Sequence, residues 1–319
     1  MNFSHIIYER DLIETLFSSR LAVFSMLLRV IEILFPMFSL VALGFLCAKQ
    51  TNINMKPINR VNIDYFAPAL VFSSLVNMPL GFRQLDLIYA CLIAIIVPGI
   101  LLGAFCYVYK WPARVWVPPH MFRNSGNLAI PLFVYTFGQS TMGDAVLLMV
   151  VSTCLQVSLG LFIISGGNRE GLKQLLKMPI IYATFGALAI NLLGIELWKP
   201  LLQATELLGA SNIPLMLFSL GTQLIYLQKN GLKIGLATTV SSIATGGVSF
   251  LVIQWLIPLP VIEQQMMVLF TMLPPAVMNY LLAERYEADG SKVASMVLYG
   301  NFFAIFTMPL ILTLAFAIT

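Results

Sequence analysis

Ten mostly apolar stretches, each about as long as a bilayer is thick, dominate this sequence. A membrane-spanning helix needs about 20 such residues, since backbone polar groups in the hydrocarbon region must find their partners within the protein. The stretches lie near residues 30–48, 61–79, 87–109, 116–137, 143–165, 178–197, 203–226, 232–257, 262–283 and 292–317. The pattern predicts an all-α membrane protein with ten transmembrane helices.

The composition excludes the main soluble classes. Of the 319 residues, 59% are hydrophobic and only 10% are charged, whereas a soluble domain carries roughly 25% charged residues. The apolar runs are too long for the strands of an outer-membrane barrel. No basic block with interleaved aromatic residues indicates nucleic acid, so the net charge of +4 is attributed to loops that follow the positive-inside rule.

The basic residues predict how the chain is oriented. Five of the 18 lie before the first span or in loops after even-numbered spans, and Arg123 lies within span four. This asymmetry predicts cytoplasmic odd-numbered loops and extracytoplasmic termini. The location we expect for the chain is the inner (plasma) membrane of a bacterium. The loops after odd-numbered spans hold the other twelve: Lys49, Lys56, Arg60, Lys110, Arg114, Arg169, Lys173, Lys177, Lys229, Lys233, Arg285 and Lys292.

The two halves of the chain resemble each other. The segment FAPALVFSSL (Phe66–Leu75) resembles NIPLMLFSLG (Asn212–Gly221), with identities at a constant offset of 146 residues. Each half holds five predicted spans, so the second half must enter the membrane upside down, as in the inverted repeats of secondary transporters. We therefore expect a single membrane domain over 1–319, with repeats at about 28–165 and 179–319 and a connector at 166–178.

Two predicted spans, one in each half, carry helix-breaking and polar residues. Span four contains FRNSGNLAIPLF (Phe122–Phe133), and span nine contains TMLPPAVMNYLLAERY (Thr271–Tyr286). Proline lacks an N–H and clashes with the preceding turn, so neither span is expected to be a continuous helix. The freed backbone groups need partners, and helix N-termini at the breaks favour an anion.

The candidate substrate-binding residues follow from these breaks. Asn124, Ser125 and Asn127 supply polar groups in span four, and Pro274, Pro275 and Asn279 lie in span nine. Arg123 is either a fixed counter-charge for a carboxylate or a side chain that reaches the cytoplasmic surface. Two polar residues in neighbouring spans complete the set: Gln156 and Ser73.

Ion coupling would need a titratable or coordinating group. Asp64 is the best candidate to carry a proton or a sodium ion, although Arg60 precedes it by one helical turn and a salt bridge is the competing interpretation. Proton coupling, sodium coupling and uncoupled transport all remain open at this point.

The segments NSGNLAIPL (Asn124–Leu132) and LPPAVMNYLLAERY (Leu273–Tyr286) resemble motifs of the auxin efflux carrier family. The resemblance to its bacterial-type members implies ten helices in two inverted repeats, with a crossover of broken helices four and nine. It also implies a scaffold and a transport domain, and an architecture related to bile acid/sodium symporter-like transporters. It places the crossover asparagine on Asn124 and the crossover proline on Pro274. Arg123, Ala129 and Asn279 depart from the pattern of plant members, which argues against auxin as the substrate.

Together these features predict a secondary transporter of a small organic anion, such as a carboxylate, that works by elevator-like alternating access. A bile-acid-like carrier, a cation/proton exchanger and a channel are the alternatives. The chain contains no H-E-x-x-H, G-x-S-x-G or Walker A motif, and its four cysteines are dispersed in apolar runs. We therefore expect no enzyme activity, catalytic residue, cofactor or metal. The expected partners are the anion and membrane lipids, with no nucleic acid, and a homodimer is left open.

Overall fold

The computed structural model describes residues 3–51, 53–167, 176–227 and 229–318, with side chains at residue 25 and from residue 28 onward. Within these ranges the named elements are all helical, as predicted. Their order is α1 (Phe3–Gln50), α2 (Met55–Val61), α3 (Ala67–Val76), α4 (Phe82–Tyr109), α5 (Ala113–Met121), α6 (Ile130–Phe137), α7 (Met142–Leu155), α8 (Leu161–Ile164), α9 (Pro179–Leu192), α10 (Lys199–Ala210), α11 (Asn212–Gln223), α12 (Leu232–Leu256), α13 (Val261–Thr271), α14 (Met278–Arg285) and α15 (Gly290–Phe316).

Helical segments occupy each of the ten apolar runs, but they differ in continuity. By length and composition, six described stretches can cross a membrane without interruption. The runs near 116–137 and 262–283 are each divided into two helices, and α9 is a shorter apolar helix of 14 residues. A five-residue π-helix, Asn62–Phe66, separates α2 from α3. The long uninterrupted stretches are Leu28–Gln50, Phe82–Tyr109, Gln139–Ile164, Lys199–Tyr226, Lys229–Leu256 and Gly290–Phe316.

The helices form two bundles. In the first bundle, α1 packs along α11, and α3 packs against α9 and α10. In the second bundle, α12 packs against α4 and α15, α4 packs against α5 and α7, and α14 packs against α15. The bundles meet where α1 contacts α6 and α15 and where α3 contacts α7. Both divided runs, α5–α6 and α13–α14, therefore belong to the second bundle or its edge.

Glycine allows α1 and α11 to approach closely within the first bundle. A Cβ atom added at Gly221 would overlap the backbone carbonyl oxygen of Val41, and one added at Gly44 would overlap that of Phe218. Small residues at a helix interface let two backbones come into contact, and in lipid such packing replaces the hydrophobic effect as the driving force for association. The α1–α11 contact therefore depends on the absence of side chains at these two positions.

We expect Gly221→Ala to destabilise the purified protein by about 1–3 kcal/mol, because the added methyl group forces the two helices apart. Alanine favours a helix over glycine by up to about 1 kcal/mol, so helix propensity alone predicts that this substitution stabilises the protein. Gly186→Ala on α9 is the matched control, since a Cβ there has nothing within 4 Å. Thermal unfolding in detergent measures both, and equal melting temperatures for the two variants would refute the packing argument.

Candidate functional site

The two interrupted runs lie against each other and pair through their backbones. The Asn124 N–H donates to the Pro274 carbonyl at 2.8 Å, and the Ala276 N–H donates to the Phe122 carbonyl at 3.0 Å. Arg123 and Pro275 thus form an isolated antiparallel bridge between two short extended segments. Each interruption satisfies backbone groups that the other exposes, which is the condition for non-helical backbone at membrane depth.

The positions of the prolines explain where the helices stop. Pro274 and Pro275 lie in the interruption itself, between α13 and α14. Pro131 is the second residue of α6 and follows the π-helix Ser125–Ala129, so the helical path continues through it. The interruption of the first run therefore falls earlier than Pro131, at Arg123 and Asn124, and a π-helix over Ser125–Ala129 connects it to α6.

Two amide pairs fasten the interruptions to neighbouring helices. The Asn124 side-chain amide donates to Oδ1 of Asn301 on α15 at 2.7 Å, and Asn301 donates to the Pro275 carbonyl at 3.0 Å. Correspondingly, Gln156 donates to Oδ1 of Asn279 at 3.0 Å, and Asn279 donates to the Phe122 carbonyl at 2.9 Å. Each interrupted run therefore contributes one asparagine, and that asparagine bonds an amide side chain from the other half of the chain.

Arg123 is buried within the second bundle, with 2% of its surface exposed. Its guanidinium donates to the Ser242 carbonyl at 3.1 Å, to the Thr245 hydroxyl at 3.3 Å and to the Leu273 carbonyl at 3.3 Å. Its Nε has no hydrogen-bond partner among the described residues, and no carboxylate in that part of the chain lies within ion-pair distance. Arg123 does not reach the surface, so its charge stays inside the protein.

A cavity of about 1350 Å³ adjoins the interruptions. Arg123, Asn124, Ser125, Asn127 and Gln156 all line it. It extends to the loops that follow odd-numbered apolar runs, where its lining includes Asn54, Lys56, Lys177, Tyr226 and Gly290. We call this space the first cavity.

Polar groups on the first cavity are available to a ligand. The side chains of Ser125 and Asn127 make no hydrogen bond to another described residue, and Asn127 is part-exposed. Three π-helices bring residues to this wall, namely Asn62–Phe66, Ser125–Ala129 and Gln156–Gly160. Such widened turns occur frequently at functional sites, because they shift side chains and leave backbone groups unpaired.

The remaining predicted residues add no unpaired polar side chain to the first cavity. Pro274, Pro275 and Asn279 lie behind the wall of the first cavity, and Asn279 is fully buried. Asp64 lines the first cavity but pairs with Arg60 at 3.5 Å, and 38% of its side chain is exposed. Ser73 lines a different cavity of about 800 Å³, with Pro131, Gln139 and Asp144. We call this space the second cavity, and no residue lines both.

Sequence reasoning did not assign several residues that hold this site together. Asn301 bridges both interruptions, and Thr245 and the Ser242 carbonyl bind Arg123. His120 is fully buried, and its two ring nitrogens contact the Trp116 carbonyl and the Ser241 hydroxyl, each at 2.7 Å. Each is a polar residue in an apolar run, which is a signal of interhelical bonding, but the sequence does not show which partner it meets.

The chain is similar to known membrane transport proteins. Residues 167–312 match the family described as "Membrane transport protein". An uncharacterized transporter of Methanothermobacter thermautotrophicus is 26% identical over 274 residues, which cover 79% of this chain and 86% of that protein. An uncharacterized transporter of Methanocaldococcus jannaschii is 22% identical over 202 residues, which cover 60% of this chain and 64% of the relative. These matches agree with the transport family that the sequence motifs predicted.

We expect the Gln156–Asn279 pair to contribute measurably to stability. A double-mutant cycle with Gln156→Ala, Asn279→Ala and the double variant should give a coupling of about 0.6 kcal/mol, and up to about 1.7 kcal/mol, as found for interhelical hydrogen bonds in membrane proteins. The free energy of unfolding is measured for the unsubstituted protein, both single variants and the double variant. Strictly additive effects would show that the two amides do not bond.

Proposed function

We propose, starting from the match of residues 167–312 to the membrane transport protein family, that this chain is a secondary transporter of a small organic anion such as a carboxylate. The transported anion binds on the first cavity, at the paired interruptions. The protein then exposes this site to the other side of the membrane by alternating access.

The observation that carries the choice of an anion is the charge of Arg123. It is a buried cation on the cavity wall, without an acidic partner in the described part of the chain. An unpaired charge at membrane depth is costly, and a bound anion would relieve that cost. The acidic residues on this cavity are Asp64, which is part-exposed and already paired, and Glu284, which is exposed.

Backbone donors add to this preference. Gly126 and Asn127 lie in the first helical turn after one interruption, and Val277 and Met278 lie at the start of α14 after the other. N–H groups in a first helical turn lack helical partners and carry the positive end of the helix dipole. A carboxylate between the two turns would receive donors from both halves of the chain. A cation/proton exchanger would instead need acidic groups at this position.

The two cavities support alternating access. The first cavity extends to the basic loops, and the second is lined by residues near the opposite ends of the helices, including Asn77, Arg83 and Ser140. The interruptions and their amide partners lie in the second bundle, which could carry them past the first bundle as one body. A continuous channel is less consistent with two separate cavities. We accordingly propose an elevator-like movement of the second bundle.

The proposed topology has ten membrane crossings in two inverted repeats. The two amide pairs support it, because Asn124 bonds the last run of the second half and Asn279 bonds the last run of the first half. Under this topology both termini lie outside the cytoplasm, and the first cavity opens to the cytoplasm.

The orientation can be tested by cysteine labelling. In a background whose four native cysteines are replaced, Lys110→Cys and Glu196→Cys each add one exposed thiol, in loops expected on opposite sides. A membrane-impermeant maleimide should label Glu196→Cys but not Lys110→Cys in right-side-out vesicles, and the reverse in inverted vesicles. Labelling of both from one side would contradict the topology.

The binding site can be tested with Asn127→Ala. This side chain bonds no described residue, so its loss should leave the fold intact while it removes one donor to the anion. A hydrogen bond to a charged group is worth about 1.5–3 kcal/mol, so binding should weaken roughly tenfold to a hundredfold. Thermal shift of the purified protein with malonate, succinate and acetate measures binding, and uptake into proteoliposomes measures transport.

Two controls accompany this experiment. Gln203→Ala removes an exposed amide on α10, away from both cavities, and should bind as the unsubstituted protein does. Malonamide has the shape of malonate without its charge and should give no thermal shift. Equal stabilisation by malonate and malonamide would overturn the assignment of an anion.

A further inference from the structure

Three charged residues cluster at the end of the second bundle that lies away from the first cavity. Arg83, Asp144 and Glu263 occupy the first turns of α4, α7 and α13. One guanidinium nitrogen of Arg83 lies 3.0 Å from Oδ2 of Asp144, and the same nitrogen is paired with Oε1 of Glu263. Only 8% of the Asp144 side chain and 1% of the Glu263 side chain are exposed. One cation is therefore shared between two buried carboxylates.

The charges of this cluster do not balance. With both acids ionised, the three side chains carry one net negative charge in a buried position. Oε2 of Glu263 is buried and has no hydrogen-bond partner among the described residues. An ionised carboxylate buried without full compensation costs several kcal/mol, and two carboxylates in one site do not both ionise readily. A proton on one carboxyl group removes the excess charge.

The surroundings supply no second cation. Glu206 on the second cavity and Asp86 on α4 are both acidic. The helices packed against α13 are α4, which carries Arg83 and Asp86, and α12 and α15. Each of the latter two carries one charged residue, Lys233 and Lys292, in its first turns at the opposite end. Arg29 on α1 stacks on the ring of Phe316 instead. Within the described part of the chain, Arg83 is thus the basic partner of both acids.

The cluster is accessible from one cavity. Arg83 and Asp144 line the second cavity, half of the Arg83 side chain is exposed, and none of the three residues lines the first cavity. Glu263 also lies on the helix that ends at the interruption, since α13 runs from Val261 to Thr271. A proton could therefore enter from the second cavity, at a site joined to the paired interruptions by one rigid helix.

We propose that Asp144 and Glu263 form a proton-binding site that holds one shared proton beside Arg83, and that this proton is the coupling ion of the transporter. The binding step is a simple protonation: a carboxylate oxygen accepts a proton from water in the second cavity and returns it there or to the other side. The coupling part rests on the transport function proposed above, whereas proton binding does not. This site differs from Asp64, whose carboxylate is partly exposed and paired with Arg60.

Infrared difference spectroscopy on the purified full chain tests proton binding without any substrate. Between neutral and alkaline pH we expect the protein to lose a carboxylic C=O stretching band from a buried protonated acid. Glu263→Gln should lack this band, and Asp144→Asn should lack or shift it, while the control Asp64→Asn keeps it. A band that both cluster variants retain unchanged would overturn the proposal. Gel filtration and circular dichroism show whether each variant is folded. If Glu263→Gln is not folded, Asp144→Asn provides the test.

Two further measurements complete the test. A thermal shift with sodium chloride that choline chloride does not reproduce, and that Glu263→Gln abolishes, would assign a sodium ion to the site and overturn the proton. In proteoliposomes that take up malonate, a protonophore should slow initial uptake by the unsubstituted protein and leave uptake by Glu263→Gln unchanged. Uptake that is unaffected by the protonophore in both would refute coupling, whereas absence of any uptake would contradict the proposed function instead.

Discussion

The pairing of two helix interruptions is the interaction on which the rest of this structure depends. Phe122–Asn124 and Pro274–Ala276 are extended segments within apolar runs of the chain, where unpaired buried backbone groups cost several kcal/mol each. They satisfy one another, Asn301 binds the Pro275 carbonyl, and Asn279 adds a second hydrogen bond to the Phe122 carbonyl. Because each segment needs the other, the four helices α5, α6, α13 and α14 are fixed relative to one another. The cavity wall is a consequence of this arrangement.

The local chemistry of these segments could be predicted from the sequence, and their partners could not. Prolines and asparagines within apolar runs indicated both interruptions, and repeated spacing placed one in each half. The sequence did not distinguish Ser73, which lies on the second cavity, from Gln156, which lies on the first. Both are single polar residues in apolar helices, and only the rotation of each helix decides which side they face.

The surroundings of the charged residues could not be predicted from the sequence either. Asp64 lies within a predicted span and is therefore the candidate for ion coupling from the sequence, but its side chain is partly exposed in the structure. Asp144 and Glu263 lie at the starts of spans, where acids are usually solvated, and they come from loops far apart in the chain. Their burial arises because α4, α7 and α13 begin at one place in the second bundle. No pattern within one segment contains that information, since it depends on tertiary packing.

The bonds of Arg123 have an electrical consequence. Its guanidinium is fixed to α12 and to the end of α13, so under the proposed movement its positive charge travels with the second bundle. A bound monovalent anion would cancel that charge, and the loaded body would then cross the membrane field with little net work. An empty body that kept its proton on Asp144 and Glu263 would instead carry the uncancelled charge, at about 2.3 kcal/mol per elementary charge per 100 mV. Once the proton leaves, the net negative charge of the cluster around Arg83 offsets Arg123, so the membrane potential would act mainly on an empty body that has not released its proton.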